Sequence, residues 1–361
     1  MKKIVLSLLA ASALSTAFAQ NNTMLNQNGS GNGSNTLQYG ANQNANITQN
    51  GAGNANNNTQ RSTMFQVTTV NQQGGYNTAT TSQDNDAGPS NYINVSQTGY
   101  GNGTNAQRNN ATVSQSNYYT ENSQANITQR GFNMNATINQ LGAVGNVATI
   151  EQGGYASGNA GQAQTATINQ GNNSGAGVTS NNSTAYIQQL SSFTQQATTN
   201  QLGGFNQAYT YQNNNAGPNN VANTNQTGNN NYSQTNQSDF STAQTEATVN
   251  QTGNFNTSYL NQTGGGAFTT DSYARVTQNG NNNDSRFQQF GGANNHADIS
   301  QSGGFNSVQG MGGFGSFGLQ NGNNNTLTVT QASATGGPGH TVMISQVGTN
   351  NNGVVTQITY P

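Results

Sequence analysis

The chain has 361 residues, among them 67 Asn, 42 Gln and 46 Gly, and only 4% are charged. Ordinary domains carry about 25% charged residues and a larger apolar share, so a conventional enzyme core is not expected. The formal charge of −2 leaves no footprint for nucleic acid and no acidic tail or polybasic membrane patch, and the lack of Cys removes disulfides, thiolate metal sites and Cys nucleophiles.

Residues 1–19 read as a secretory signal peptide: Lys2 and Lys3 are followed by the apolar run Ile4 to Ala13 and by the small-residue site Ala17-Phe18-Ala19. The apolar run falls short of the ~20 residues that span a bilayer. Cleavage after Ala19 is expected to release residues 20–361 as a secreted chain with five Arg, nine acidic residues and no Lys.

From Gln27 onward a repeat dominates. The string Q-x-G-x-x-N begins at Gln27, Gln49, Gln72, Gln97, Gln201, Gln226, Gln251, Gln278, Gln289, Gln301, Gln320 and Gln346, and nine of these continue to a second Gln eleven residues on; Gln97, Gln289 and Gln301 do not. A second string, A-x-[IV]-x-Q, starts at Ala45, Ala111, Ala125, Ala136, Ala148, Ala166, Ala185, Ala247, Ala274 and Ala297. Side chains at i, i+2 and i+4 share one face of an extended chain. Ala247, Val249 and Gln251 therefore share a face, and after a turn so do Asn256, Ser258, Leu260 and Gln262. Each unit reads as strand, tight turn, strand, with Gly253 freeing the backbone and Asn tolerating left-handed conformations.

Two or three small apolar residues per arm cannot form a core alone, so the units must stack. The expected fold is all-β, a β-solenoid with two parallel in-register sheets and amyloid-type cross-β on assembly. The ladder and turn positions expected to stack, in a constant phase, are Gln49, Gly51, Asn54 and Gln60; Gln72, Gly74, Asn77 and Gln83; Gln201, Gly203, Asn206 and Gln212; Gln226, Gly228, Asn231 and Gln237; Gln251, Gly253, Asn256 and Gln262; Gln278, Gly280, Asn283 and Gln289; Gln320, Gly322, Asn325 and Gln331; and Gln346, Gly348, Asn351 and Gln357. Residues 20–361 thus form one domain of about 13 repeats, ~60 Å long at ~4.8 Å per layer. Irregular loops are expected near 98–128, 171–183 and 310–319, the last a Gly-Phe insertion. Pro89, Pro218 and Pro338 fall in the longer connections, where no ladder hydrogen bond is lost.

Single chemical residues carry little. His296 and His340 read as outward or turn positions. Asp84-x-Asp86 before Gly88-Pro89 lacks the later acidic ligand of a calcium loop. These carboxylates and Asp239, Asp271, Asp284 and Asp298 read as solubilising charges. No catalytic, metal or cofactor site is expected. Tyr76, Phe205, Phe255 and Phe305 precede the turn Asn, with Phe132 in a related GFN, and read as an aromatic ladder packing neighbouring turns.

The repeat resembles the curlin repeat of curli-type functional amyloids, apolar-x-Q-x-G-x-x-N-x-A-x-apolar-x-Q, through nearly all of residues 20–361. Gln72, Gly74, Asn77, Ala79 and Gln83, like Gln201, Gly203, Asn206, Ala208 and Gln212, match throughout. The resemblance implies an extracellular, cell-surface fibre subunit of the biofilm matrix that polymerises with itself and acts in adhesion and aggregation. It also implies a nucleating subunit and a dedicated secretion channel with accessory proteins as partners. Curlin major subunits have about five repeats behind a Gly-rich targeting segment; here the repeats are more than twice as many and begin at Gln27. The alternatives are a minor, nucleating subunit or a monomeric solenoid that binds a surface, as an adhesin or ice-binding module, for which Thr326-x-Thr328-x-Thr330 is the best fragment of a threonine array.

Overall fold

The computed structural model describes residues 20–62, 65–85, 90–99, 108–116, 120–153, 163–171, 180–191, 194–214, 219–238, 242–263, 269–311, 316–334 and 337–359. The expected signal peptide, and with it Asp86, Gly88, Pro89, Pro218 and Asp239, lies outside them.

Alternation of small or aliphatic residues with Asn, Thr and Tyr makes every arm a strand with one buried face. In Glu246–Thr252, Ala247, Val249 and Gln251 are buried and Thr248 and Asn250 half-buried; in Thr257–Thr263 the buried row is Ser258, Leu260 and Gln262. Two such strands make a coil, and the coils stack into two parallel sheets whose buried faces meet.

The first sheet runs through Asn22–Asn28, Gln43–Asn50, Gln66–Gln73, Asn91–Thr98, Gln124–Arg130, Val147–Gly153, Thr184–Ser191, Gln207–Asn214, Tyr232–Ser238, Thr257–Thr263, Asp284–Phe290, the short pair Ser307–Gly310 and Gly318–Asn321, and Thr341–Val347. The second runs through Gly33–Gly40, Ala55–Ser62, Thr78–Asn85, Asn110–Ser116, Asn135–Leu141, Thr165–Gly171, Gln195–Gly204, Asn220–Thr227, Glu246–Thr252, Tyr273–Asn281, His296–Gly304, Thr326–Ala332 and Asn352–Ile358. Taken in chain order these strands define coils 1 to 13. The register is residue on residue: Gln140 lies between Gln115 and Gln170, and Ile138 between Val113 and Ile168.

One of the zones expected to be irregular holds regular layers. Asn110–Ser116 and the start of Gln124–Arg130 fall within 98–128 and pair in full register, because Ala111, Val113 and Gln115 supply the same inward row as their neighbours. Near 310–319 the insertion splits one strand of coil 12. The buried Gln row resumes at Gln320, nineteen residues after Gln301 instead of eleven. Of 171–183, Ser180–Asn181 forms a short side ladder with Ala143–Val144 and Gly203–Gly204.

The chain turns at two edges. At the first it passes from the first sheet to the second within a coil; at the second it climbs to the next coil. The Gln–Gly–Asn spacing within the repeat is fixed, but the Gly–Asn turn does not keep to one edge of the solenoid. It lies at the first edge in coils 1 to 3, at the second edge after coils 7 to 11, and at the first edge again in coils 11 to 13. A turn of this kind joins two strands of equal length whichever sheet comes first, so nothing in the motif fixes the edge.

The interior between the sheets is aliphatic in two stretches. Ala45 and Ile47 through Ile187, Ala197 and Ala222 form one cluster, and Ala247 and Val249 through Ile344 another. Between them the inward row changes to Thr199, Thr210, Thr224, Ser233 and Thr235, all fully buried.

Candidate functional site: carboxamide ladders and stacked turns

The last inward residue of each strand is Gln, and in-register stacking sets these side chains one above another. Each Gln Nε2 donates to the Oε1 of the Gln one coil further on. In the first sheet the row is Gln27, Gln49, Gln72, Gln97, Gln129, Gln152, Gln189, Gln212, Gln237, Gln262, Gln289, Gln320 and Gln346, with donor–acceptor distances between 2.6 and 3.0 Å. In the second it is Gln38, Gln60, Gln83, Gln115, Gln140, Gln170, Gln201, Gln226, Gln251, Gln278, Gln301, Gln331 and Gln357, at 2.8 to 3.1 Å. The second amide hydrogen goes to a backbone carbonyl of the facing strand, as from Gln226 to Gln207 and from Gln251 to Tyr232, both 2.9 Å. A buried carboxamide thereby meets its donors, which is the condition for burying it at little cost.

The turns form a third set of rows. Asn54 Nδ2 donates to the Gly74 carbonyl of the next coil (2.9 Å), and Asn54 Oδ1 accepts the backbone N–H of Asn77 (3.0 Å). At the second edge Asn206, Asn231, Asn256 and Asn283 repeat this against Gly228, Gly253, Gly280 and Gly303 at 2.8 to 3.2 Å. Asn325 does so again at the first edge, donating to Gly348 (2.9 Å) and accepting from Asn351 N–H (3.0 Å). The glycine is required: Gly253 has φ +109°, and a Cβ there would strike the Gly280 carbonyl oxygen.

The predicted positions thus divide between the two sheets and the two edges. Gln49, Gln72, Gln212, Gln237, Gln262, Gln289, Gln320 and Gln346 are first-sheet rungs, and Gln60, Gln83, Gln201, Gln226, Gln251, Gln278, Gln331 and Gln357 second-sheet rungs. Gly51 and Gly322 join Gly74 and Gly348 at the first edge, and Gly203 begins the row at the second. The turn motif passed over Gln115, Gln129, Gln140, Gln152, Gln170 and Gln189, yet each of them ends an A-x-[IV]-x-Q string, and that string locates them.

The aromatic ladder of the turns is not formed. Phe205, Phe255 and Phe305 sit at left-handed φ values of 56°, 58° and 61°, but Asn230 and Asn282 occupy the same place in the intervening turns. The rings are 54 to 58% exposed and take part in none of the ring pairs among the described residues. Tyr76 shares the conformation at the first edge, with φ 57°, whereas in the GFN segment the left-handed residue is Asn133, not Phe132, and buried Met134 replaces the ladder Asn.

Aromatic packing occurs instead on the outer face of the first sheet. Tyr186 and Tyr211 lie 5.7 Å apart, Tyr209 and Tyr232 5.9 Å, and Tyr232 and Tyr259 5.2 Å; Arg286 covers Tyr259 at 5.0 Å. Packing desolvates the phenols: Tyr232 is pushed up to about 12, by burial first and then by the neighbouring Tyr259. Tyr186 rises too, by burial and by donating to Glu151 Oε2 at 2.7 Å. Burial also raises the Asp284 carboxyl against the opposing pull of Arg286, which is 3.1 Å away. Sequence alternation puts these tyrosines outward but cannot show that adjacent coils align them.

The remaining candidates stay apart. His296 is exposed beside Tyr273, and His340 sits at a corner, its Nε2 3.0 Å from Thr359 Oγ1. Asp84 faces Arg61 at 4.0 Å. Thr328 is flanked by Asp298 and Val354, so the threonines of coil 12 do not extend into an array. Among the described residues no cluster of three or more His, Cys, Asp or Glu could hold a metal, and no helix is long and apolar enough to cross a membrane.

Two comparisons bear on this arrangement. The model of the curlin associated repeat matches residues 269–303 and 292–332. The matched residues run from the second strand of coil 10 through coil 12 and are similar to that repeat, and their Gln278, Gln301 and Gln331 continue ladders that run through the other coils. No curated protein matches the chain.

Proposed function

We propose that the protein is a secreted structural subunit that stacks end to end on copies of itself, forming curli-like cross-β fibres of the extracellular, cell-surface matrix that serve adhesion and aggregation. The observation that carries this reading is the match between the two ends. Coil 1 and coil 13 both carry the Gly–Asn turn at the first edge, with Gly29 at φ 109° and Gly348 at φ 118°. Both ladders end there as well: Gln346 and Gln357 keep an amide hydrogen beyond those given to Thr326 and Thr341, while Gln27 and Gln38, which donate into the stack, turn their carbonyls the other way.

Placing coil 13 under coil 1 of the next copy continues every row. Ile344 would cover Leu25, Gln346 would meet Gln27 and Gln357 would meet Gln38. The end strands are exposed now, with Leu25 at 49% and Val354 at 68%, and unpaired strand edges template further pairing. A head-to-tail contact of this kind does not close, so it yields filaments. A nucleating subunit, a secretion channel and its accessory proteins are the partners this reading calls for.

The test is to dilute residues 20–361 from denaturant and record diffraction from aligned product. Reflections at ~4.8 Å along the fibre and ~10 Å across it are expected. Proline at Val354 and Val355 should abolish growth by removing donors from the end strand. A folded protein that stays monomeric at all concentrations would overturn the proposal.

A further inference from the structure

The second edge of coils 7 to 11 carries a regular row that the end-to-end stack does not use. Five successive turns hold Phe205, Asn230, Phe255, Asn282 and Phe305 at φ values between 56° and 61°. Hydrogen bonds tie each turn to the next: Asn230 N–H donates to Gly204 (2.9 Å), Phe255 to Asn229 (3.0 Å), Asn282 to Asn254 (3.0 Å) and Phe305 to Asn281 (3.1 Å). The row is therefore a fixed comb. Its teeth are phenyl rings more than half exposed, in a backbone conformation that disfavours a bulky side chain and suits the Asn residues between them.

Phenyl groups two coils apart are separated by ~9.6 Å, beyond the ~4.5 to 7 Å at which aromatic pairs gain. Within one molecule the rings cannot meet, but the gap between them accepts one more ring. A second comb shifted by one coil would place a phenyl group every ~4.8 Å, inside the favourable range. The five turns, from the Gly203 to the Asn306 ends of the row, contain no charged side chain, so two copies can approach without ionic repulsion or desolvation of charge. The alternation is also the same read in either direction. A two-fold axis between coils sets Phe255 against Asn282 of the partner subunit and Phe305 against Asn230 of the partner subunit, and both contacts are reciprocated, as an isologous interface requires.

We infer that this Phe–Asn comb is a lateral interface through which two copies of the chain pair side by side. It joins solenoids across their axes, whereas the end strands join them along it, and it does not depend on end-to-end growth. The variant F205N/F255N/F305N tests it, since it installs at all three positions the residue that Asn230 and Asn282 already show to fit the turn. Electron microscopy of assembled residues 20–361 should show filaments two solenoids wide for the natural sequence and one wide for the variant, with the same ~4.8 Å reflection. Sedimentation of protein blocked at the end strand by V354P/V355P should show a dimer that the three Asn substitutions dissociate. That arm stands whether or not fibres form. Equal widths together with equal sedimentation would overturn the inference. So would binding of a soluble β-glucan by the Phe row in a blocked protein that sediments as a monomer.

Discussion

Coils 5 and 6 and coils 8 and 9 have the same strand register and pair of Gln ladders, yet different interiors. Ile127, Ile138, Ile150 and Ile168 fill the first region; at the matching positions of the second stand Thr210, Thr224, Thr235 and Val249, with Ser233 in place of an Ala. The four hydroxyls have no hydrogen-bond partner, and a buried, unpaired hydroxyl costs about 1–3 kcal/mol. That the second region keeps the same geometry shows which interactions specify the layer. The carboxamide rows, which both regions share, set the register, and the aliphatic row adds stability to a layer already defined.

Removing a rung should therefore treat both regions alike and produce the largest effect. Gln152→Leu in coil 6 and Gln212→Leu in coil 8 each strand a buried donor on one neighbour and an acceptor on the other, and each should cost about 2–6 kcal/mol, read from the urea midpoint of freshly diluted protein. A loss confined to one region would break the comparison. Next in size, Ile150→Thr should convert coil 6 to the hydroxyl type and cost about 2–4 kcal/mol through lost apolar burial and a new unpaired group.

Smaller and opposite in sign, Thr210→Val and Thr224→Val should each raise stability by about 1–3 kcal/mol, seen as a higher urea midpoint with an unchanged slope. The smallest effect is electrostatic. Burial raises the Asp284 carboxyl above its ordinary value, so its contribution to stability is present below the unfolded Asp range and is lost as pH rises through the folded value. Acidification through that range should raise the urea midpoint, and Asp284→Asn should flatten this dependence.

Much of this was legible in the sequence because the strand period and the Gln spacing are written directly in the residues. The inward rows of Glu246–Thr252 and Thr257–Thr263 follow from alternation alone. Other features depend on which strands become neighbours. The jump of the Gly–Asn turn between edges cannot be seen in a motif that reads the same at either edge. The missing contact between Phe205 and Phe255 depends on the intervening turn carrying Asn230, twenty-five residues away. The zone 98–128 looked irregular because its turn lacks the short spacing, although Ala111, Val113 and Gln115 kept the strand signal.

The one-way direction of the glutamine rows has an electrical consequence. Backbone amides in a strand alternate and largely cancel, but every carboxamide dipole in both rows points along the axis in the same sense. They add, as peptide dipoles do along a helix. The solenoid is then a rod with a fractional positive pole at Gln346 and Gln357 and a fractional negative pole at Gln27 and Gln38. A nearly uncharged chain can in this way carry a field that orients two rods tip to tip before their end strands touch.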